Sequence, residues 1–92
     1  MQEIDYTVHI FKAGDTYVAY VPELNVSSCG TSDGEACKNI RDAVEGLIET
    51  SRATGTLSEI LEESGYAREG DAWRALQFVS FGRMKVSVDG LG

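Results

Sequence analysis

The reactive side chains of this 92-residue sequence are one histidine, two cysteines and 15 aspartates and glutamates. His9 has the chemistry of a general base. Because no nucleophile motif accompanies it, we interpret His9 as a surface or interface residue of a strand. Cys29 and Cys37 stand 37 − 29 = 8 positions apart, which fits neither the metal nor the redox C-x-x-C spacing. We therefore expect structural thiols without a disulfide framework.

Paired carboxylates could hold Mg²⁺ or act as acid and base. Residues 1–51 contain nine acidic and three basic residues, which gives 3 − 9 = −6. A metal site needs converging acids, whereas this pattern scatters them over the exteriors of helices and loops. No P-loop, G-x-G-x-x-G, H-E-x-x-H, G-x-S-x-G or paired C-x-x-C motif occurs. We predict a non-enzyme with no catalytic, cofactor or metal residues; the rival hypothesis is a small nuclease-like remnant using Asp5, Glu23 or His9.

The charge balance excludes some partners and favours others. Eight Lys and Arg against 15 Asp and Glu give a net charge of −7. Such a chain is a poor ligand for nucleic-acid phosphates and for anionic membranes, but it attracts a basic protein. No apolar run approaches a membrane span, and the first residues lack the features of a signal peptide. We expect a cytoplasmic protein that forms one domain over residues 1–92.

Three strands are predicted in the first third of the chain. Apolar residues alternate over Ile4–Ile10, and Tyr17–Val21 is rich in aromatic and β-branched residues. The turn around Gly14 joins these strands as a hairpin. Because proline cannot donate to a ladder, Pro22 ends the second strand, and Leu24–Cys29 forms a third, weaker one.

A long amphipathic helix follows the strands. Ser32 and Glu35 fit an S-x-x-E capping box. Apolar residues then recur at helical spacing, which predicts a helix over Asp33–Ser51. Gly46 lies inside this helix, and we interpret it as a point of close approach to the sheet.

The second half of the chain is predicted to add a short helix and terminal strands. Thr56 to Glu59 repeats the capping box, and Gly65 is placed to end the helix in a Schellman motif, with Tyr66 packing on Leu61. The predicted elements after the helix are a loop over Ala67–Asp71 and strands over Leu76–Phe81 and Met84–Val88. The order β-β-β-α-α-β indicates an α+β domain, with a small antiparallel sheet and the long helix packed on one face.

Two segments in this order resemble a known family. Tyr17–Leu24 reads Y-V-A-Y-V-P-E-L and Gly30–Ala36 reads G-T-S-D-G-E-A, and together they resemble the HicB-like antitoxin family over roughly residues 4–50. In physical terms Pro22 ends a strand, Gly30 turns the chain, and Ser32 and Glu35 cap a helix. These motif residues have structural roles and do not indicate a catalytic activity.

The resemblance implies a partial ribonuclease-H-like fold without nuclease activity. It also implies an antitoxin that neutralises a HicA-type mRNA interferase, a small basic toxin, by covering its RNA-binding and active surface. The acidic charge agrees with this role. The candidate toxin-facing acids are Glu23, Asp42, Glu45 and Glu49. The alternative within the family is an orphan oligomeric scaffold without a toxin.

The C-terminal segment departs from many family members. The stretch after Trp73 is too short for a helix-turn-helix, so we expect no separate DNA-binding domain. Met84–Val88 resembles the strand of a ribbon-helix-helix, yet we expect no helices after it. Both observations count against the DNA-binding autorepression of many members.

Self-association is also predicted from this segment. A domain of this size without disulfides or metal has a limited core, and an open sheet leaves unpaired strand edges. The C-terminal apolar residues exceed what one helix stripe needs to cover. We therefore expect a homodimer or tetramer whose interface contains Phe78, Phe81, Met84, Val86 and Val88.

Overall fold

A long helix, a short helix and two three-stranded sheets make up the computed structural model, which describes residues 3–75 and 79–89. This α+β architecture confirms the predicted fold class. The elements in chain order are β1 (Glu3–Ile4), β2 (His9–Ala13), β3 (Thr16–Val21), β4 (Val26–Gly30), α1 (Asp33–Thr54), α2 (Leu57–Glu63), β5 (Ala67–Glu69) and β6 (Ala72–Arg74).

The strands β2, β3 and β4 form an antiparallel sheet in chain order. Gly14 adopts a φ of 62° in the turn between β2 and β3, a backbone conformation that glycine reaches without steric cost. Ala19 and Val21 of the central strand are fully buried, and they pack against α1. The chain leaves β3 at Pro22.

The predicted first strand, Ile4–Ile10, is two strands in the structure. Residues 5–8 are not assigned to a strand, and the Thr7 amide donates to the Glu23 carboxylate at 3.0 and 3.1 Å instead of to a neighbouring strand. The interruption lets β1 leave the antiparallel sheet and join the second one.

Helix α1 begins at a side-chain cap and ends at a left-handed glycine. Ser32 Oγ accepts a hydrogen bond from the Glu35 amide at 3.1 Å, and Glu35 Oε1 accepts one from the Thr31 amide at 3.1 Å. Gly55, with a φ of 75°, ends the helix three residues later than predicted. Among the described residues, no helix combines the length and hydrophobicity that a membrane span requires.

The buried face of α1 covers β3 and β4. Ala36, Ile40 and Val44 join the buried residues of β3 in one cluster. The side-chain Nδ2 of Asn39 donates to the Cys29 carbonyl of β4 at 2.8 Å. The interpretation of Gly46 as a close-approach point is wrong. Gly46 is exposed, and a Cβ atom there would meet no atom within 4 Å.

Helix α2 ends as predicted and begins differently. The Tyr66 amide donates to the Leu61 carbonyl at 2.9 Å and the Gly65 amide to the Glu62 carbonyl at 3.1 Å, which is the Schellman pattern. The second capping box is wrong, because the Thr56 side chain makes no cap hydrogen bond.

The second sheet has the order β1-β6-β5 and contains a parallel pair. β1 runs parallel to β6, and β5 and β6 form a hairpin around Gly70, whose φ is 61°. The predicted loop over Ala67–Asp71 is therefore wrong for the residues of β5. The hairpin is stabilised by burial of Trp73 against Leu61 and Tyr66.

The described C-terminal residues, 79–89, contain no helix or strand. The strand predicted over Met84–Val88 is therefore wrong for the single chain, since a strand needs a neighbour to complete its hydrogen bonds. The same holds for residues 79–81 of the other predicted strand; its residues 76–78, with the predicted interface residue Phe78, lie outside the described residues. The segment projects from the body: the radius of gyration is 16.2 Å, against about 12 Å for a compact chain of this length.

Candidate binding site beside the first helix

An open groove of about 510 Å³ runs between α1 and the N-terminal segment that contains β1. Its floor is apolar, and its rim carries two carboxylates and one guanidinium group. The residues that line it are Ile4, Tyr6, Val44, Glu45, Ile48, Glu49 and Arg52.

The helical repeat creates both parts of the groove. Val44, Ile48 and Arg52 follow each other at four-residue spacing, so they form one row along α1. Val44 is buried in the core and Ile48 is half-buried. Glu45 and Glu49 form the adjacent row, one helical turn apart, and both are exposed. The sequence therefore places a charged row directly beside an apolar one.

The opposite wall depends on the second sheet. Ile4 belongs to β1, an edge strand that is held by its parallel pairing with β6. Tyr6 follows in the irregular stretch before β2, and its side chain packs against the main core cluster. The groove therefore exists only when the first and the last strands of the fold are paired.

Among the described residues, neither rim carboxylate forms an ion pair within 4.0 Å, although Arg52 lies on the same rim. In residues 3–75 and 79–89 the ion pairs are Lys38–Asp42 at 3.4 Å and the two contacts of Arg74, with Asp5 at 2.6 Å and with Glu69 at 3.4 Å. Neither Glu45 nor Glu49 takes part in them. Two exposed carboxylates, about 6 Å apart along the helix axis, can receive basic side chains of a partner.

The structure separates the four predicted toxin-facing acids into different environments. Glu45 and Glu49 share the rim of the groove. Asp42 lies three residues before Glu45 on the same side of α1 and pairs with Lys38 across an exposed surface. Glu23 lies elsewhere: its carboxylate accepts from the Thr7 amide and, at 2.6 Å, from the Thr7 hydroxyl. Glu23 thus shapes the chain between β1 and β2.

The residues of the rival nuclease hypothesis have separate structural contacts. Asp5 Oδ2 accepts from Arg74 at 2.6 Å, and this hydrogen bond is the main reason that the pKa of Arg74 is raised. The His9 ring meets the Phe11 ring edge to face, with centroids 6.2 Å apart. In the part of the chain that the structure describes, no three or more His, Cys, Asp or Glu side chains are grouped as metal ligands.

The two thiols differ in exposure. Cys29 is exposed at the end of β4, whereas Cys37 is half-buried on the first turns of α1, with its Sγ 3.5 Å from Asp33 Oδ1. Partial burial, followed by the nearby Asp33 carboxylate, raises the pKa of the Cys37 thiol. Neither cysteine lines the groove.

Sequence reasoning missed five of the seven groove residues as a site, namely Arg52 and the four that form the apolar part. Val44 and Ile48 were interpreted as core, Ile4 and Tyr6 as one face of a continuous strand, and none of them was connected with Glu45 or Glu49. The helical spacing of the two rows was visible in the sequence. The position of Ile4 opposite them was not, because it depends on pairing with a strand near residue 72.

Comparisons of the chain with protein-family models, with curated proteins and with solved structures found no match in any of the three. The function is therefore inferred from the residues of this chain and from the sequence resemblance that they carry.

Proposed function

We propose that this chain is an antitoxin-like binding protein that neutralises a basic HicA-type mRNA interferase in the cytoplasm by covering its RNA-binding surface. The observation that carries the proposal is the apolar groove whose rim holds Glu45 and Glu49 without ionic partners among the described residues.

The charge of the folded body supports a basic partner. Residues 3–75 hold six basic and 14 acidic residues, which gives 6 − 14 = −8. A surface that binds RNA is rich in Lys and Arg. An acidic protein is attracted to such a surface over long distances, and its carboxylates replace the phosphates there.

The groove adds specificity to this attraction. Exposed charges alone contribute little affinity, because water and salt screen them. Half-buried Ile4, Tyr6 and Ile48 offer an apolar floor next to the carboxylates. A partner segment could present one apolar side chain between two basic ones. The apolar side chain would be buried on the floor of the groove, and the basic ones would pair with the carboxylates of Glu45 and Glu49.

The resemblance to the HicB-like antitoxins is carried by residues with local structural roles. Gly30 lies where a Cβ atom would be 2.7 Å from the Ala36 nitrogen, and Ser32 and Glu35 form the cap of α1. These roles agree with the physical reading of the family motif and support a shared scaffold for the proposed function.

Binding to a HicA-type toxin tests the proposal. The probe is the small basic protein encoded beside this gene, with its histidine replaced by alanine so that it can be produced safely. We expect titration calorimetry to detect a complex, and we expect this chain to stop RNA cleavage by the active toxin. A gene neighbourhood without a small basic reading frame, or a toxin that cleaves RNA equally in its presence, contradicts the proposal.

The groove is tested by a matched pair of charge reversals. Glu45→Lys with Glu49→Lys should raise the Kd at least about tenfold, because two favourable contacts become repulsive. Glu59→Lys with Glu63→Lys is the control, since these exposed residues of α2 have the same four-residue spacing and line no part of the groove. Equal weakening by both pairs would indicate general attraction in place of a site.

The nuclease hypothesis has its own assay. Ribonuclease activity of the purified chain would be measured with Mg²⁺ or Mn²⁺. Turnover that is lost in Asp5→Asn but kept in Glu59→Lys would favour the enzyme and overturn the antitoxin proposal.

A further inference from the structure

The C-terminal segment, residues 79–89, has a net charge of opposite sign to that of the body, residues 3–75. Residues 79–89 contain Arg83, Lys85 and Asp89 as their charged residues, which gives 2 − 1 = +1, against −8 for residues 3–75. In a protein with a net charge of −7, this is the described segment that an acidic site would attract.

The segment also has the pattern of a strand without a partner strand. In an extended conformation Met84, Val86 and Val88 share one face, while Arg83 and Lys85 share the other. The three apolar side chains are 97%, 84% and 61% exposed in the single chain. Side chains of this kind are normally covered, and so large an exposed apolar run marks an interaction surface.

We infer that residues 79–89 of a second copy lie in the groove beside α1 and form a strand there along β1. β1 is the edge strand of its sheet and lines the groove through Ile4, so an added strand would complete its ladder. The inference rests on the same groove as the proposed function, so a toxin that binds there would have to displace the segment of the second copy, and the test below needs no toxin.

The dimensions of the groove and of the segment agree. Arg83 and Lys85 are two residues apart, about 7 Å in a strand. Glu45 and Glu49 are one turn apart, about 6 Å along the helix. With its apolar face on Ile4, Tyr6 and Ile48, the strand would bring both basic side chains to the rim, because their long stems reach over apolar surface.

The donor of the segment is a second copy. No residue from 79–89 lines the groove of its own chain, and residues 79–89 are all exposed in a chain that measures 51 × 29 × 24 Å. Exchange between two copies is reciprocal, so one two-fold axis makes the contact twice and covers both apolar faces.

Charge-swapped full-length variants test the inference by sedimentation at micromolar concentration. The unaltered protein should sediment at twice the 10.0 kDa of one chain. Arg83→Glu with Lys85→Glu gives an acidic segment, and Glu45→Lys with Glu49→Lys gives a basic groove. Each variant alone should be a monomer, since segment and groove then repel each other.

Mixing the two variants decides whether the contact is between copies. The acidic segment of one variant matches the basic groove of the other, and the remaining segment and groove keep their original charges, so the mixture should regain the dimer. Glu59→Lys with Glu63→Lys should remain a dimer, and Val86→Asp should be a monomer. A monomeric parent protein, a dimer in either swapped variant, or a mixture that stays monomeric overturns the inference.

Discussion

The hydroxyl group of Tyr66 donates a hydrogen bond of 2.6 Å to the backbone carbonyl of Asp5. This bond joins the residue that ends the Schellman motif of α2 to the residue that follows β1. The two residues lie 66 − 5 = 61 positions apart in the sequence. The bond therefore holds the N-terminal wall of the groove against the end of α2.

Ionisation of Tyr66 should lower the stability of the protein at alkaline pH. Burial, and then the charges of Glu23 and Asp5, raise the pKa of Tyr66 from 10.0 to about 12. Since the folded pKa lies above the unfolded one, this stabilisation is complete below pH 10 and is lost as the pH rises to about 12. We expect the free energy of unfolding to fall by about 2 kcal/mol over this window.

Tyr66→Phe isolates that effect. At pH 7 the variant should lose about 1 kcal/mol, because the Asp5 carbonyl loses its donor. Between pH 10 and pH 12 its stability should fall less than that of the unaltered protein, as measured by urea denaturation. Parallel losses in both proteins would assign the alkaline sensitivity to other groups.

Gly30 and Gly46 predict opposite effects of the same substitution. A Cβ atom at Gly30 would lie 2.7 Å from the Ala36 nitrogen and 2.9 Å from Glu35 Cβ, so Gly30→Ala must displace the start of α1. We expect a loss of about 1–3 kcal/mol. Gly46→Ala meets no atom within 4 Å and should gain up to about 1 kcal/mol from helix propensity. Thermal unfolding followed by circular dichroism measures both, and a gain in both variants would contradict the close contact at Gly30.

Ser32 and Thr56 are the N-cap residues of α1 and α2. We expect their replacement by alanine to lower the free energy of unfolding by different amounts. Ser32→Ala removes the acceptor of the Glu35 amide, and we expect it to cost about 1 kcal/mol. Thr56 makes no cap hydrogen bond, so Thr56→Ala should cost less than about 0.5 kcal/mol. Urea midpoints that do not change in Ser32→Ala would place that residue outside the cap.

The two cysteines should react at different rates. Cys29 is exposed, whereas partial burial and Asp33 raise the pKa of Cys37 and leave less of the reactive thiolate near pH 8. Iodoacetamide should therefore label Cys29 first, and peptide mass spectrometry resolves the two sites. Asp33→Asn should accelerate labelling of Cys37, while faster labelling of Cys37 in the unaltered protein would contradict its raised pKa.

Local signals explain what the sequence predicts well. The start of α1 needs only Ser32, Glu35 and the intervening backbone, and the end of α2 needs only the residues from Leu61 to Tyr66. Their hydrogen bonds close within a few residues. Such features are specified before the rest of the chain is in place.

Distant pairing explains the errors. The residues of β5 and β6 are too polar and too short to read as strands, and they become strands because β1 and the packing of Trp73 hold them. Met84–Val88 shows the opposite case. Its apolar and polar residues alternate clearly, but the single chain provides no strand beside it. The groove is only partly predictable for the same reason. One wall is the helix α1, which local signals specify, and the other contains β1, whose position depends on a distant strand.

The parallel pairing of β1 with β6 has a consequence for synthesis of the protein. Glu3 is synthesised before its partner Ala72, which lies 72 − 3 = 69 positions later in the chain. The antiparallel sheet and α1 can form while translation continues, because their contacts lie within residues 9–54. β1 must wait, unpaired, until nearly the whole described body has been made, so the groove is the last part of the body to form.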